Sequence, residues 1–121
     1  MKSSLRDNAL TFLFLSSLPF MASGQGTGVF EGRSDIGPVL HKGGVAFEKS
    51  SGEYLVSGSG ANIWGSADEA HFVWRKLKGD FILQVRAKFI GNGVDPHRKL
   101  GWMIRQSLAP NAASVIAAAH G

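Results

Sequence analysis

Apolar and polar residues alternate along several short stretches of this chain, and glycine and serine separate the stretches. Residues 81–89 show the alternation best, because every odd position is apolar. Side chains alternate between the two faces of a strand, so this pattern predicts a strand whose odd-numbered face is buried. Gly79 and Asp80 precede the stretch, and residues 91–93 (Gly-Asn-Gly) follow it with residues that tight turns favour.

Six further stretches read as strands, and no stretch has a convincing helical period. They are rich in β-branched and aromatic residues and are bounded by turn residues, which is typical of a β-sandwich or barrel. Residues 49–53 predict a hairpin turn, and antiparallel pairing of neighbouring strands is the simplest connection. The predicted strands comprise residues 28–32, 44–50, 53–60, 71–77, 100–108 and 113–120.

The first 24 residues have the three parts of a secretory signal peptide: a basic start, an apolar run and small residues at the cleavage site. Lys2 and Arg6 precede the apolar run of residues 9–22, and cleavage is expected after Gly24. A membrane anchor is the alternative, but the run falls short of the ~20 apolar residues that span a bilayer. The prediction is a periplasmic or secreted domain over residues 25–121, without a membrane span once the signal is cleaved.

The composition indicates which forces could stabilise the fold and which classes of partner are expected. The chain has 121 residues and a formal charge of +4, which is too mild an excess to indicate nucleic-acid binding. It contains no cysteine, so an exported domain would have no disulfides and would depend on a packed core.

The first candidate site lies in residues 95–107, where basic side chains accompany an aromatic ring. Arg98, Lys99 and Arg105 lie near Trp102 in the sequence, and such groups can bind carboxylates, phosphates or sugar faces. The alternative is a solvated hairpin loop whose charges only keep the edge soluble. If Arg105 faces inward it requires an internal partner, for which Asp95 or Glu69 is expected.

The second candidate site lies in residues 58–74, where Trp64, Asp68, Glu69 and His71 gather among glycines. A glycosidase requires two carboxyl groups roughly 5–10 Å apart, and this spacing does not establish such a pair. The alternative is that the tryptophans are core residues and the acids belong to turns. Dinucleotide, zinc and nucleophile-elbow motifs are not found, so no cofactor or metal is predicted.

Four motifs occur in a distinctive order along the chain, namely residues 34–39, 54–64, 71–83 and 97–108. With these motifs the chain resembles bacterial exported proteins labelled as periplasmic components of the Tol biopolymer system, or TolB-like, over residues 30–121. The resemblance implies an all-β, antiparallel concanavalin A-like (jelly-roll) sandwich. The family pattern continues past His120, which implies a truncated copy holding the N-terminal part of the sandwich.

The resemblance implies a lectin-like or carbohydrate-associated domain and supplies no catalytic residues. We therefore expect a non-catalytic binding module of the cell envelope, for a glycan or another envelope polymer. One alternative is a glycoside hydrolase using Asp68, Glu69 or Asp80, and another is a module that pairs with envelope proteins through an open sheet edge. The expected ligand contacts are Trp64, His71, Arg98, Lys99, Trp102 and Arg105.

Overall fold

The computed structural model describes residues 26–121, so the predicted signal peptide lies outside the described residues. All regular structure in this range is β-strand, which confirms the all-β class. None of these residues forms a helix long and apolar enough to cross a membrane. The strands are β1 (Gly32–Ile36), β2 (Gly44–Glu48), β3 (Glu53–Ser57), β4 (Ala70–Trp74), β5 (Lys99–Arg105) and β6 (Ser114–His120).

The described strands form three antiparallel pairs: β1 with β4, β2 with β3, and β5 with β6. β2 and β3 form a hairpin in which Glu48 lies opposite Glu53. Gly52 closes its turn with a positive φ of 73°, and its N–H donates to the Glu48 carbonyl over 2.8 Å. A positive φ is easily adopted only by glycine, and the hairpin turn predicted for residues 49–53 is confirmed.

β5 and β6 form a second hairpin, the longest pair of the described chain. Lys99 lies opposite His120, and residues 106–113 connect the two strands. The strands predicted at residues 100–108 and 113–120 match β5 and β6 to within three residues at each end. β1 and β4 pair across a long separation in sequence, with Ile36 opposite Ala70. This pairing was not expected, and the edge strand predicted at residues 28–32 begins only at Gly32.

Few apolar side chains are fully buried in the described part of the chain. Ile36, at the end of β1, is 1% exposed, and Val45 on β2 is the other buried apolar residue among residues 26–121. An aromatic cluster extends this small core, because the Tyr54 ring lies 4.6 Å from that of Phe47 and 5.2 Å from that of Phe30. The fold therefore depends strongly on its polar contacts as well as on apolar burial.

The strand predicted over residues 81–89 is wrong for the described chain. These residues have no strand partner, and Phe81 and Val85 are 42% and 60% exposed. Alternation specifies which side chains share a face, but a strand also needs a neighbouring backbone for its N–H and C=O groups. β1 to β6 form three two-stranded pairs, and none of the six strands pairs with residues 81–89.

Candidate functional site

A carboxylate and an imidazole face each other across the β1–β4 pair. The register places Asp35 opposite His71, and the His71 Nδ1 lies 2.7 Å from the Asp35 Oδ1. The Gly43 N–H donates to the same oxygen over 3.0 Å. The His71 side chain is only 4% exposed, so this hydrogen bond fixes the imidazole in a largely dry environment.

The hydrogen bonds to Asp35 favour its ionised form. The contact with His71 is the largest cause, the Gly43 N–H adds to it, and together they hold the pKa of Asp35 below its ordinary value. A carboxylate can only accept hydrogen bonds. The proton shared in this pair therefore resides on the His71 Nδ1, and the state of Nε2 depends on whether the imidazole carries a second proton.

Acid is expected to destabilise the fold through Asp35. A carboxyl group with a depressed folded-state pKa stabilises the fold above its unfolded-state pKa of about 3.9, and this contribution is lost as the pH falls through the folded-state pKa. Urea unfolding between pH 2 and pH 5 measures the loss, and Asp35→Asn should unfold with a weaker pH dependence than the wild type. An unchanged pH dependence in this variant would contradict the assignment.

A small cavity of about 110 Å³ lies beside the imidazole. His71, Lys99 and Trp102 contribute to its wall, together with apolar residues of β4, β5 and β6. The His71 Nε2 and the Trp102 Nε1 are both buried, and neither has a hydrogen-bond partner among residues 26–121. Buried polar groups are nearly always paired, so each of these two nitrogens lacks the hydrogen-bond partner that burial normally requires.

A larger, open cleft of about 350 Å³ adjoins the cavity. Ile63 and Ile116 line both spaces. Trp64 lies in the cleft wall with 57% of its surface exposed, and the Lys99 Nζ lies 6.0 Å from the centre of its ring. The cleft wall also contains three exposed short polar side chains, Ser66, Asn111 and Ser114, and the buried carboxylate of Asp68.

Arg105 is buried and fully engaged within the fold. Its side chain is 1% exposed, and its Nη1 donates to the Asp68 Oδ2 over 2.8 Å. Its Nε donates to the Ser107 carbonyl and its Nη2 to the Ala109 carbonyl, over 2.7 and 2.6 Å. The inward arginine thus has the internal partner that burial requires, but Asp95 and Glu69 were the wrong choices. These contacts leave Arg105 anchoring the β5–β6 loop.

Arg98 lies away from both spaces. Its guanidinium sits 4.7 Å from the centre of the Phe89 ring, and its Nη1 donates to the Gly91 carbonyl over 2.6 Å. It therefore tethers the turn after residues 81–89 to the start of β5. The structure brings four of the six predicted contacts together, namely Trp64, His71, Lys99 and Trp102.

No family model, curated protein or solved structure matches the chain. The site therefore has to be interpreted from its own chemistry. Within residues 26–121, no group of three His, Cys, Asp or Glu side chains could hold a metal ion. Asp68 is ion-paired with Arg105, and the Glu69 Oε2 accepts from the Ala61 N–H over 3.1 Å. Both acids thus have structural partners.

Sequence reasoning missed Asp35 and the polar residues of the β5–β6 loop. Asp35 stands out only once β1 is known to pair with β4, because its partner His71 lies far away in the sequence. Asn111 reaches the cleft from the hairpin connection, in a stretch that reads as an ordinary turn, and Ser114 reaches it from the first position of β6.

Proposed function

We propose that this chain is a non-catalytic binding module that holds a glycan in the cleft beside Trp64. The observation that carries the proposal is the exposed indole of Trp64 above a wall of hydroxyl, amide and carboxylate groups. Aromatic rings offer a flat apolar face, which suits the C–H face of a sugar. Ser66, Asn111 and Ser114 supply the donors and acceptors that sugar hydroxyls need.

The cellular location of the protein and its finer fold type are part of the same proposal. The all-β antiparallel architecture supports the N-terminal part of a concanavalin A-like sandwich of the TolB-like type. The basic start and apolar run of residues 1–24 support export to the periplasm or beyond, where envelope polymers are available. Envelope glycans are accordingly the ligand class to test first.

Replacing Trp64 with alanine tests the module directly. We expect the purified chain to retain oligosaccharides from a glycan panel, and Trp64→Ala to bind the best of them roughly tenfold or more weakly, about 1.4 kcal/mol. Isothermal titration calorimetry measures the affinities. Phe81→Ala is the matched control, because it removes an exposed ring that is not part of the cleft, and it should bind as the wild type does.

The same measurements distinguish the other candidate functions. Release of reducing sugar from the bound oligosaccharide, abolished by Glu69→Gln, would indicate a glycoside hydrolase in place of a passive module. Absence of any glycan binding would favour the third candidate, a module that pairs with envelope proteins. The exposed alternating side chains of residues 81–89 are the specific observation behind that candidate.

A further inference from the structure

The small cavity beside His71 offers hydrogen-bond donors and few acceptors. Among the described side chains that line it, none carries an oxygen atom. The polar side chains in its wall are those of His71, Lys99 and Trp102, and all of them end in nitrogen. An indole N–H and an ammonium group can only donate, so the cavity is chemically complementary to an acceptor.

His71 becomes a third donor when its imidazole is doubly protonated. Nδ1 donates to Asp35, so a second proton can only be carried by Nε2, which is buried and unpaired. Asp35 carries a negative charge on the Nδ1 side of the ring, and Lys99 contributes a positive charge to the cavity wall.

The size and position of the cavity suit one small group on a larger ligand. Its volume of about 110 Å³ exceeds the ~30 Å³ that a water molecule takes up in the liquid. It adjoins the Trp64 cleft through Ile63 and Ile116. Lys99 contributes to the cavity and places its ammonium group 6.0 Å from the Trp64 ring, so a sugar on Trp64 could project a substituent past Lys99 into the cavity.

We infer that the cavity is a carboxylate subsite, and that the glycan of the proposed function is an acidic one whose uronic-acid group enters it. The sugar part of this inference rests on the proposed function, whereas the carboxylate part rests on the cavity alone. A carboxylate has two acceptor oxygens, and the cavity wall contains the Trp102 indole and the Lys99 ammonium group, which can only donate. Charge-assisted hydrogen bonds to a cation are stronger than neutral ones, which favours an acid over a neutral sugar.

The experiment compares matched acidic and neutral ligands on the full chain. ¹⁵N-labelled protein at pH 5.5 is titrated with three probes. The probes are a galacturonic acid hexamer, its methyl ester and sodium acetate. We expect the acid to bind about tenfold more tightly than the ester. The Trp102 indole N–H resonance should move with the acid, and with acetate at higher concentration.

Two conservative variants test whether the shift of the Trp102 resonance comes from a ligand in the cavity. Trp102→Phe removes the indole N–H but keeps an aromatic ring, and Trp74→Phe is its control, because the Trp74 Nε1 already donates to the Ser34 Oγ. Lys99→Met keeps the aliphatic stem and should reduce affinity for the acid while leaving the ester unaffected. The wild-type titration needs no variant to fold, so the test does not depend on any substitution being tolerated.

The possible results separate the inference from the function on which it rests. Equal affinity for the acid and its ester, with a stationary Trp102 signal, overturns the carboxylate subsite and leaves the glycan module standing. A Trp102 shift with acetate but no binding of either hexamer supports the subsite as a site for free carboxylates and removes the glycan. No response to acid or to acetate overturns the subsite.

Discussion

Asp68→Ala is expected to lower the free energy of unfolding by about 3–5 kcal/mol, because it leaves a buried arginine without its counter-ion. The Arg105 side chain is 1% exposed and has Asp68 as its charged partner. A small domain is stable by only about 5–15 kcal/mol in total. Since Ile36 and Val45 are the buried apolar residues among residues 26–121, a loss of this size should remove a large part of the stability.

Urea unfolding of the wild type and the variant measures this effect. Asp80→Ala is the matched control, because it removes the same charge from an exposed residue, where substitutions usually change stability by less than about 0.5 kcal/mol. A second variant separates pairing from charge: replacing both partners, with Asp68→Leu and Arg105→Met, should recover much of the loss, as apolar replacements of buried pairs often do. A loss below 1 kcal/mol in Asp68→Ala would contradict a buried and essential pair.

Most of the strands that sequence reasoning located correctly have a neighbour in the chain as their partner; β4, which pairs with the distant β1, was also located, at residues 71–77. Residues 44–50 and 53–60 contain β2 and β3, and residues 100–108 and 113–120 nearly coincide with β5 and β6. In these hairpins the turn residues and the alternating pattern specify the same register. Local information is then sufficient, because the turn itself brings the two backbones together.

Contacts between distant segments could not be predicted in this way. The β1–β4 pairing places Asp35 against His71, and no property of either strand alone encodes that encounter. Arg105 illustrates a partial success: burial implied a counter-ion, yet the choice of Asp68 over Asp95 or Glu69 depends on how the β5–β6 hairpin meets the loop before β4. The backbone contact between the Asp68 N–H and the Pro110 carbonyl, 2.8 Å long, fixes that meeting.

Residues 81–89 show the limit of a strong pattern. Their alternation is the most regular in the chain, and they lack a strand partner in the described structure. A hydrophobic face is a property of the segment, whereas a strand is a property of two segments. A regular pattern within one segment likewise does not indicate where a site lies. Trp64 lies in an irregular loop and contributes to the proposed site, whereas residues 81–89 do not.

Gly43→Ala is expected to destabilise the fold by about 1–3 kcal/mol, the usual effect of overpacking, and to disrupt the small cavity. A Cβ at this position would collide with the Cβ, Cγ and Nδ1 atoms of His71. These atoms lie near the root of the side chain, so a simple rotation does not relieve the clash. Gly58 also approaches His71 closely, because a Cβ built there would lie 2.6 Å from the Cβ of His71.

The displaced imidazole would lose its hydrogen bond to Asp35, which also accepts from the Gly43 N–H. Gly65→Ala is the matched control, since a Cβ there has its nearest neighbour at 3.8 Å, the Ala67 carbonyl, and it should leave stability within about 0.5 kcal/mol of the wild type. Urea unfolding gives the stabilities, and the acetate titration of the Trp102 indole signal reports on the cavity. A Gly43→Ala protein with wild-type stability and an unaltered titration would show that His71 is not confined by Gly43, and that the cavity does not depend on the position of the imidazole.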